Sequence, residues 1–150
     1  MNENDVRAIA LFFFYALLDD QKAIEAGARA LNLAKDKKRK QPEMANAVAL
    51  VQSTFEIWKK EEAEARRMSM VRSLNPGWSL PDGTDLSPWR EFHKQSSSDE
   101  IVVVIWSKIL GLPDAEIATA LELPEGTIRY RVGHALRRLG ELTSSRPNIV

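Results

Sequence analysis

The chain has 150 residues, the length of one typical domain or of two small helical modules with thin cores. Hydrophobic residues make up 44% and charged residues 28%, a globular rather than a disordered balance. The 21 Lys+Arg against 21 Asp+Glu exclude a uniformly basic nucleic-acid coat and an acidic tail protein, so any anion-binding surface has to be local. The absence of Cys removes disulfides, thiolate nucleophiles and Cys-ligated metals. His93 and His134 are far apart in sequence and do not suggest a metal site.

The first predicted helix runs from an Asn4 cap to Leu18 and is apolar nearly all round, through Ile9, Leu11, Phe12, Phe13, Phe14, Leu17 and Leu18. Its uncharged stretch, Ala8 to Leu18, falls well short of the roughly 20 residues that a membrane span needs, and it follows Glu3 and Asp5 rather than a positive region. No signal peptide or span is read, and the expected compartment is the cytoplasm. Asp19 and Asp20 can cap a second helix from Gln21 to about Ala34. Its stripe Ile24, Gly27, Ala28, Leu31 suggests close packing on a neighbour. The basic run Lys35 to Lys40 then leads toward Pro42, as a solvated loop or a binding patch.

A third helix is predicted from near Pro42 to as far as Arg72. Met44, Val48, Val51, Phe55 and Trp58, spaced 4, 3, 4, 3, form its packed seam. Trp58 reads as core, with a base-stacking platform as the alternative. Residues 75–98 hold three Pro, two Gly and five Ser without sustained periodicity. The predicted organisation is therefore all-α: a helical module at 1–72, a linker at 73–98 and a second module at 99–150. Trp78 and Trp89, in the linker, either pin it onto a module or dock on a partner.

The second module reads as three helices. Ile101 to Ile105 is β-branched, but its cap-like lead-in Ser98-Asp99-Glu100 and its continuation to Leu110 favour a helix ended by Gly111. The next helix spans Leu112 to Leu121, with Pro113 in its first turn and Ile117, Ala118 and Leu121 facing inward. After a short turn, the last helix runs from near Gly126 to about Leu142. At 100° per residue, Ile128, Val132, Ala135, Leu139 and Leu142 share one side. Tyr130, Gly133, His134 and Arg137 lie opposite, with Arg129, Arg131 and Arg138 on the flanks. This pattern describes a helix-turn-helix, whose outer face fits a major groove and whose flanking arginines reach phosphates. Residues 99–150 carry six Lys+Arg and seven Asp+Glu, so the positive field is confined to this helix and the isolated module should bind DNA weakly.

Leu110 to Leu142 resembles region 4 of bacterial sigma factors, most nearly the small extracytoplasmic-function type. The matching positions are Gly111, Leu112, Pro113, Glu116, Ile117, Ala118, Leu121, Gly126, Thr127, Ile128, Arg129 and Arg131. LuxR-type regulators share parts of the pattern. The resemblance implies that the last helix reads the −35 promoter element and that the module touches the polymerase flap. The base- and phosphate-facing positions of the family fall on Arg129, Tyr130, Gly133 and His134; together with the helical phase this makes Thr127, Arg129, Tyr130, Arg131, His134, Arg137 and Arg138 the expected DNA-binding residues. Tyr130 stands where the family often has Ser, Gly133 replaces a larger side chain, and His134 replaces a frequent Arg. Tyr130 either meets a base or sugar or packs on the first helix of the module.

The stretch Asp19 to Leu31 is similar in spacing to the family's core-polymerase-binding helix, implying that Asp19, Asp20, Ile24, Glu25, Ala28 and Leu31 hold RNA polymerase. Ala28 and Leu31 replace the usual Gln and Phe. The following stretch, Val48 to Phe55, lacks the basic and Asn residues of the family's −10-melting segment. Either the chain is a divergent sigma factor, or melting is lost and another partner is served.

The resulting expectation is a transcription initiation protein with core RNA polymerase and promoter DNA as partners, and an anti-sigma or other regulatory protein as a further one. Two alternatives are a sigma-like adaptor acting through protein–protein contacts and a dimeric helix-turn-helix regulator. No phosphate loop, H-E-x-x-H or G-x-S-x-G is present, and the adjacent carboxylates Asp19-Asp20 and Glu61-Glu62 have no partner base. No enzyme activity, cofactor, metal, small-molecule substrate or membrane partner is expected.

Overall fold

The computed structural model describes residues 2–69 and 87–144, with side chains through 64 in the first stretch and 142 in the second. All the regular structure among the described residues is helical: α1 Glu3–Leu17, α2 Asp20–Lys40, α3 Asn46–Ser69, α4 Ser87–Gln95, α5 Ser98–Val104, α6 Asp114–Leu121 and α7 Glu125–Ser144. A five-residue π turn, Ile105–Ile109, continues α5.

α1 starts two residues earlier than the Asn4 cap predicted. Asn2 and Asp5 form a reciprocal capping box, Asp5 N–H to Asn2 Oδ1 at 3.0 Å and Asn2 N–H to Asp5 Oδ2 at 3.1 Å. Asn4 has no such partner three residues on. Leu18, in the left-handed region at φ 54°, ends the helix. Ile9, Phe12, Phe13 and Ala16 are buried, while Leu11 keeps an exposed edge.

α2 corrects the sequence reading twice. It extends to Lys40, so the basic run lies in its last turns rather than in an exit loop, where it complements the negative helix end. Its buried residues are Ala23, Ala26, Gly27, Ala30 and Ala34. The predicted stripe is thus rotated, and Ile24 is 70% exposed. The cause is close packing: α1 and α3 press on this face, and a Cβ at Gly27 would meet Ile9 Cγ2 at 3.9 Å. Only small side chains leave the helices room to approach.

α3 begins at Asn46 rather than at Pro42, after a turn at 42–44. Its predicted seam is present, with Val48, Val51 and Trp58 buried and Met44 and Phe55 packed against the core. Ala49, Leu50, Ser53, Thr54 and Ile57 are buried as well, because α2, α1 and α6 surround this helix. Trp58 is therefore a core residue.

The linker reading is corrected at its C-terminal end; residues 73–86, with Trp78, lie outside the described residues. Residues 87–95 form α4, because Trp89 and Phe92, three apart, make a buried apolar face and Pro88 suits a first turn. Trp89 Nε1–H donates to the Tyr15 carbonyl at 2.9 Å, and its ring meets the Tyr15 ring edge-on. Trp89 pins this segment onto α1.

α5 is capped by Ser97, and Ile101 through Trp106 are all buried, as a helix rather than a strand. Leu110 N–H reaches back five residues to the Ile105 carbonyl at 2.9 Å, and Gly111, at φ +69°, supplies the left-handed step into α6. Pro113 is the N-cap of α6.

The two predicted modules share one core. Phe12 of α1 stacks on Trp106 of the π turn, centroids 5.7 Å apart, and Phe55 of α3 meets the same indole edge-on. Trp106 Nε1–H donates to Thr54 Oγ1 at 3.0 Å, which in turn donates to the Leu50 carbonyl at 2.7 Å. Gln52 Nε2 reaches the Ala120 carbonyl, and Trp58 Nε1 reaches Ser98 Oγ.

Candidate nucleic-acid and partner interface

α6, its left-handed Glu122 cap and α7 form the helix-turn-helix. On α7, Ile128, Val132 and Ala135 are fully packed, and Leu136, Leu139 and Leu142 pack partly against the core. The opposite face is open. Gly126, Arg129, Tyr130, Gly133 and Arg137 follow one another along it, and Tyr130 is 67% exposed. Tyr130 therefore does not pack on α5. It lies over the imidazole of His134, one turn on, at 6.1 Å and 20°. Among the described residues Arg129 pairs only with Glu125 on its own helix, at 3.3 Å, a solvated contact of little strength. Arg137 has no ion pair among the described residues. A basic, aromatic helix face of this kind can meet a groove with Tyr130 at its centre and guanidinium groups toward phosphates.

Not all the predicted groups point that way. Arg131 lies 3.9 Å from Asp99, His134 Nδ1 lies 3.2 Å from Glu100 Oε2, and Arg138 lies 3.6 Å from Glu100 Oε1. Arg138 also donates to the Gln95 carbonyl at 3.0 Å. Thr127 is half-buried, its N–H bonded to the Pro124 carbonyl in the first turn of α7. The sequence reading missed Asp99 and Glu100 as neighbours of this helix. A local signal existed: Ser97 and Glu100 have capping-box spacing, and Ser97 Oγ bonds both the Glu100 N–H and its carboxylate.

The second predicted site lies on α2. Asp20, Ile24, Glu25 and Ala28 are exposed and Leu31 is half-buried, so these side chains share an outward face. Asp19 is occupied as the helix cap, accepting from Lys22 N–H. Between α1 and α2 lies an open cleft of about 420 Å³, lined by Arg7, Ala10, Leu11, Phe14, Asp20, Ala23 and Ile24. It is almost entirely apolar, with Arg7 and Asp20 as its only charged walls. Among the described residues no group of three or more His, Asp or Glu is placed to hold a metal ion, and no helix is long and apolar enough to cross a membrane.

The fold is similar to that of the sigma factor RpoE, solved in complex with the anti-sigma factor NepR from Bartonella quintana. The TM-score is 0.74 at 19% identity, over 95% of this chain and 94% of that one. No protein-family model matches the chain, and no curated protein matches its sequence. The likeness is one of fold, and it extends over both halves of the molecule.

Proposed function

We propose that the chain is a sigma-like transcription protein of the cytoplasm, without enzymatic activity, that binds core RNA polymerase through the outward face of α2 and offers α7 to promoter DNA. The observation that carries this reading is the open Arg129-Tyr130-Gly133-Arg137 face on a helix-turn-helix, in a chain whose fold is sigma-like over 95% of its length. The exposed Ile24, beside an apolar cleft, supports a protein partner at α2. An anti-sigma protein is a further partner on this reading, since the structural neighbour is held by one.

A second reading follows from α3. The stretch that stands where the family's −10-melting segment would lie, Val48 to Phe55, is also packed away, with Val48 to Val51, Ser53 and Thr54 buried and Gln52 bonded to Ala120. A chain that kept this packing would act as a sigma-like adaptor, through protein contacts alone.

Transcription in vitro with core polymerase separates the two. The first reading expects a promoter-dependent transcript, reduced by Arg129→Ala through a loss of about 1–3 kcal/mol if that side chain reads a base. Polymerase binding without a transcript favours the adaptor, and no polymerase binding overturns the first reading.

A further inference from the structure

Arg131, His134 and Arg138 of α7 all meet carboxylates of α5, whereas Arg129 and Arg137 do not. Glu100 is the centre of this arrangement. Its two oxygens reach His134 at 3.2 Å and Arg138 at 3.6 Å, and its side chain is only 15% exposed. Ser97 Oγ holds it from behind, bonded to its N–H and its Oε1, both at 3.3 Å. Arg138 is fixed further by the Gln95 carbonyl and by Ser96 Oγ at 3.5 Å. Guanidinium and imidazole N–H donors that pair with a carboxylate are the same donors that pair with a phosphate. A phosphate taking Arg138 and His134 would have to displace Glu100 and leave a largely buried carboxylate without its partners, which is costly.

We propose that Glu100, with Asp99 beside it, sets the DNA affinity of the free chain by occupying His134, Arg138 and Arg131 in place of phosphates. This rests on the DNA-binding reading of α7. In the closed arrangement only Arg129 and Arg137 are ready for the duplex. Arg131, His134 and Arg138 become available when α5 yields its carboxylates.

The test is Glu100→Gln in the full chain, which keeps the side chain's shape and its bond to Ser97. Glu43→Gln, an exposed carboxylate in the α2–α3 turn with no ion pair among the described residues, controls for net charge. Binding to a short mixed-sequence duplex is measured at about 50 and about 200 mM salt. Each cation freed to meet a phosphate steepens the salt dependence by about 0.9. Over that range Glu100→Gln should therefore lose about 3-fold more affinity than the native chain, for the guanidinium of Arg138 that it frees. It should also bind more tightly at the lower salt.

Asp99→Asn, at a half-exposed carboxylate, should add about 3-fold through Arg131 and serves if Glu100→Gln does not fold. Salt dependence equal to that of the native chain and of Glu43→Gln would overturn the proposal. If no form binds duplex, the DNA reading falls, and retention on immobilised heparin decides the rest. Elution of Glu100→Gln at higher salt than Glu43→Gln sustains competition for anions, and equal elution overturns it.

Discussion

His93 stands where α4 meets α1. Its Nε2–H donates to the Ala16 carbonyl at 2.6 Å, and its ring meets Trp58 edge-on at 6.1 Å. Burial pushes its pKa below the ordinary imidazole value of 6.5, against smaller upward pulls from the Ala16 carbonyl and the Glu62 carboxylate. The neutral ring satisfies the Ala16 contact, and a proton would add an unsolvated charge between two packed helices. The unfolded chain takes that proton near pH 6.5 and the folded chain resists it, so the unfolded state binds more protons as pH falls. Stability is complete above about pH 7 and declines below about pH 6.5. His93→Gln places an amide donor near Nε2 without a titrating group. Melting temperatures followed from about pH 8 to about pH 5 should fall less steeply for His93→Gln than for the native chain. Parallel curves would show that His93 does not carry the acid sensitivity. The indoles nearby are satisfied in the same directional way, and each links the first three helices to the rest of the chain: Trp89 to Tyr15, Trp58 to Ser98, Trp106 to Thr54.

Among the elements, α7 carries an unusual cost. Gly133 and Gly140 lie inside it on the open face, and a Cβ built at either meets nothing within 4 Å. Glycine in a helix interior is unfavourable by about 1 kcal/mol relative to alanine, and here no packing inside the molecule offsets it. Gly133→Ala and Gly140→Ala should each raise stability by about 0.5–1 kcal/mol, and together by about the sum, read as a higher denaturation midpoint. A fall in stability would mean that this face is covered in the native fold. The inner side of α7 was legible because Ile128, Val132 and Ala135 repeat at helical spacing. The rotation of α2 was not, because alanines carry little periodic signal and the larger Ile24 drew the stripe toward itself. α4 was hidden by the Pro and Ser around it, although Trp89 and Phe92 were visible three residues apart. The capture of His134 and Arg138 by Glu100 joins residues 34 or more apart in sequence, and only the packing of α5 on α7 brings them together. Of the open face, Tyr130, Gly133 and Arg137 could be read from phase alone; Arg129, expected on the flank, is exposed, and His134, expected on the face, is turned to Glu100.

For the whole molecule, the shared core decides what the free protein can reach. A compact chain of this length has a radius of gyration of about 15 Å and is about 40 Å across. On the sigma-like reading, elements at −35 and −10, about 25 base pairs apart by their positions, lie about 85 Å apart along B-DNA, at about 3.4 Å per base pair. The packed form cannot touch both, so reading both would require the half that holds α1–α3 to part from the half that holds α5–α7. Parting uncovers Phe12, Trp106 and their neighbours, each worth about 1.5–3 kcal/mol when buried. The free chain therefore stays closed, and on the proposed sigma-like function the several kcal/mol needed would have to come from contacts with polymerase and DNA. Because the chain has no Cys, a dye pair can be attached at Lys22→Cys and Thr119→Cys alone, exposed sites on α2 and α6. Energy transfer between them should be high for the free chain and, on the proposed sigma-like function, should collapse when core polymerase and promoter are added. Transfer that stays high in a complex that makes transcript would rule out opening. High transfer in a polymerase complex that makes none is the outcome the adaptor reading requires, because a chain that never parts its halves keeps α3 covered.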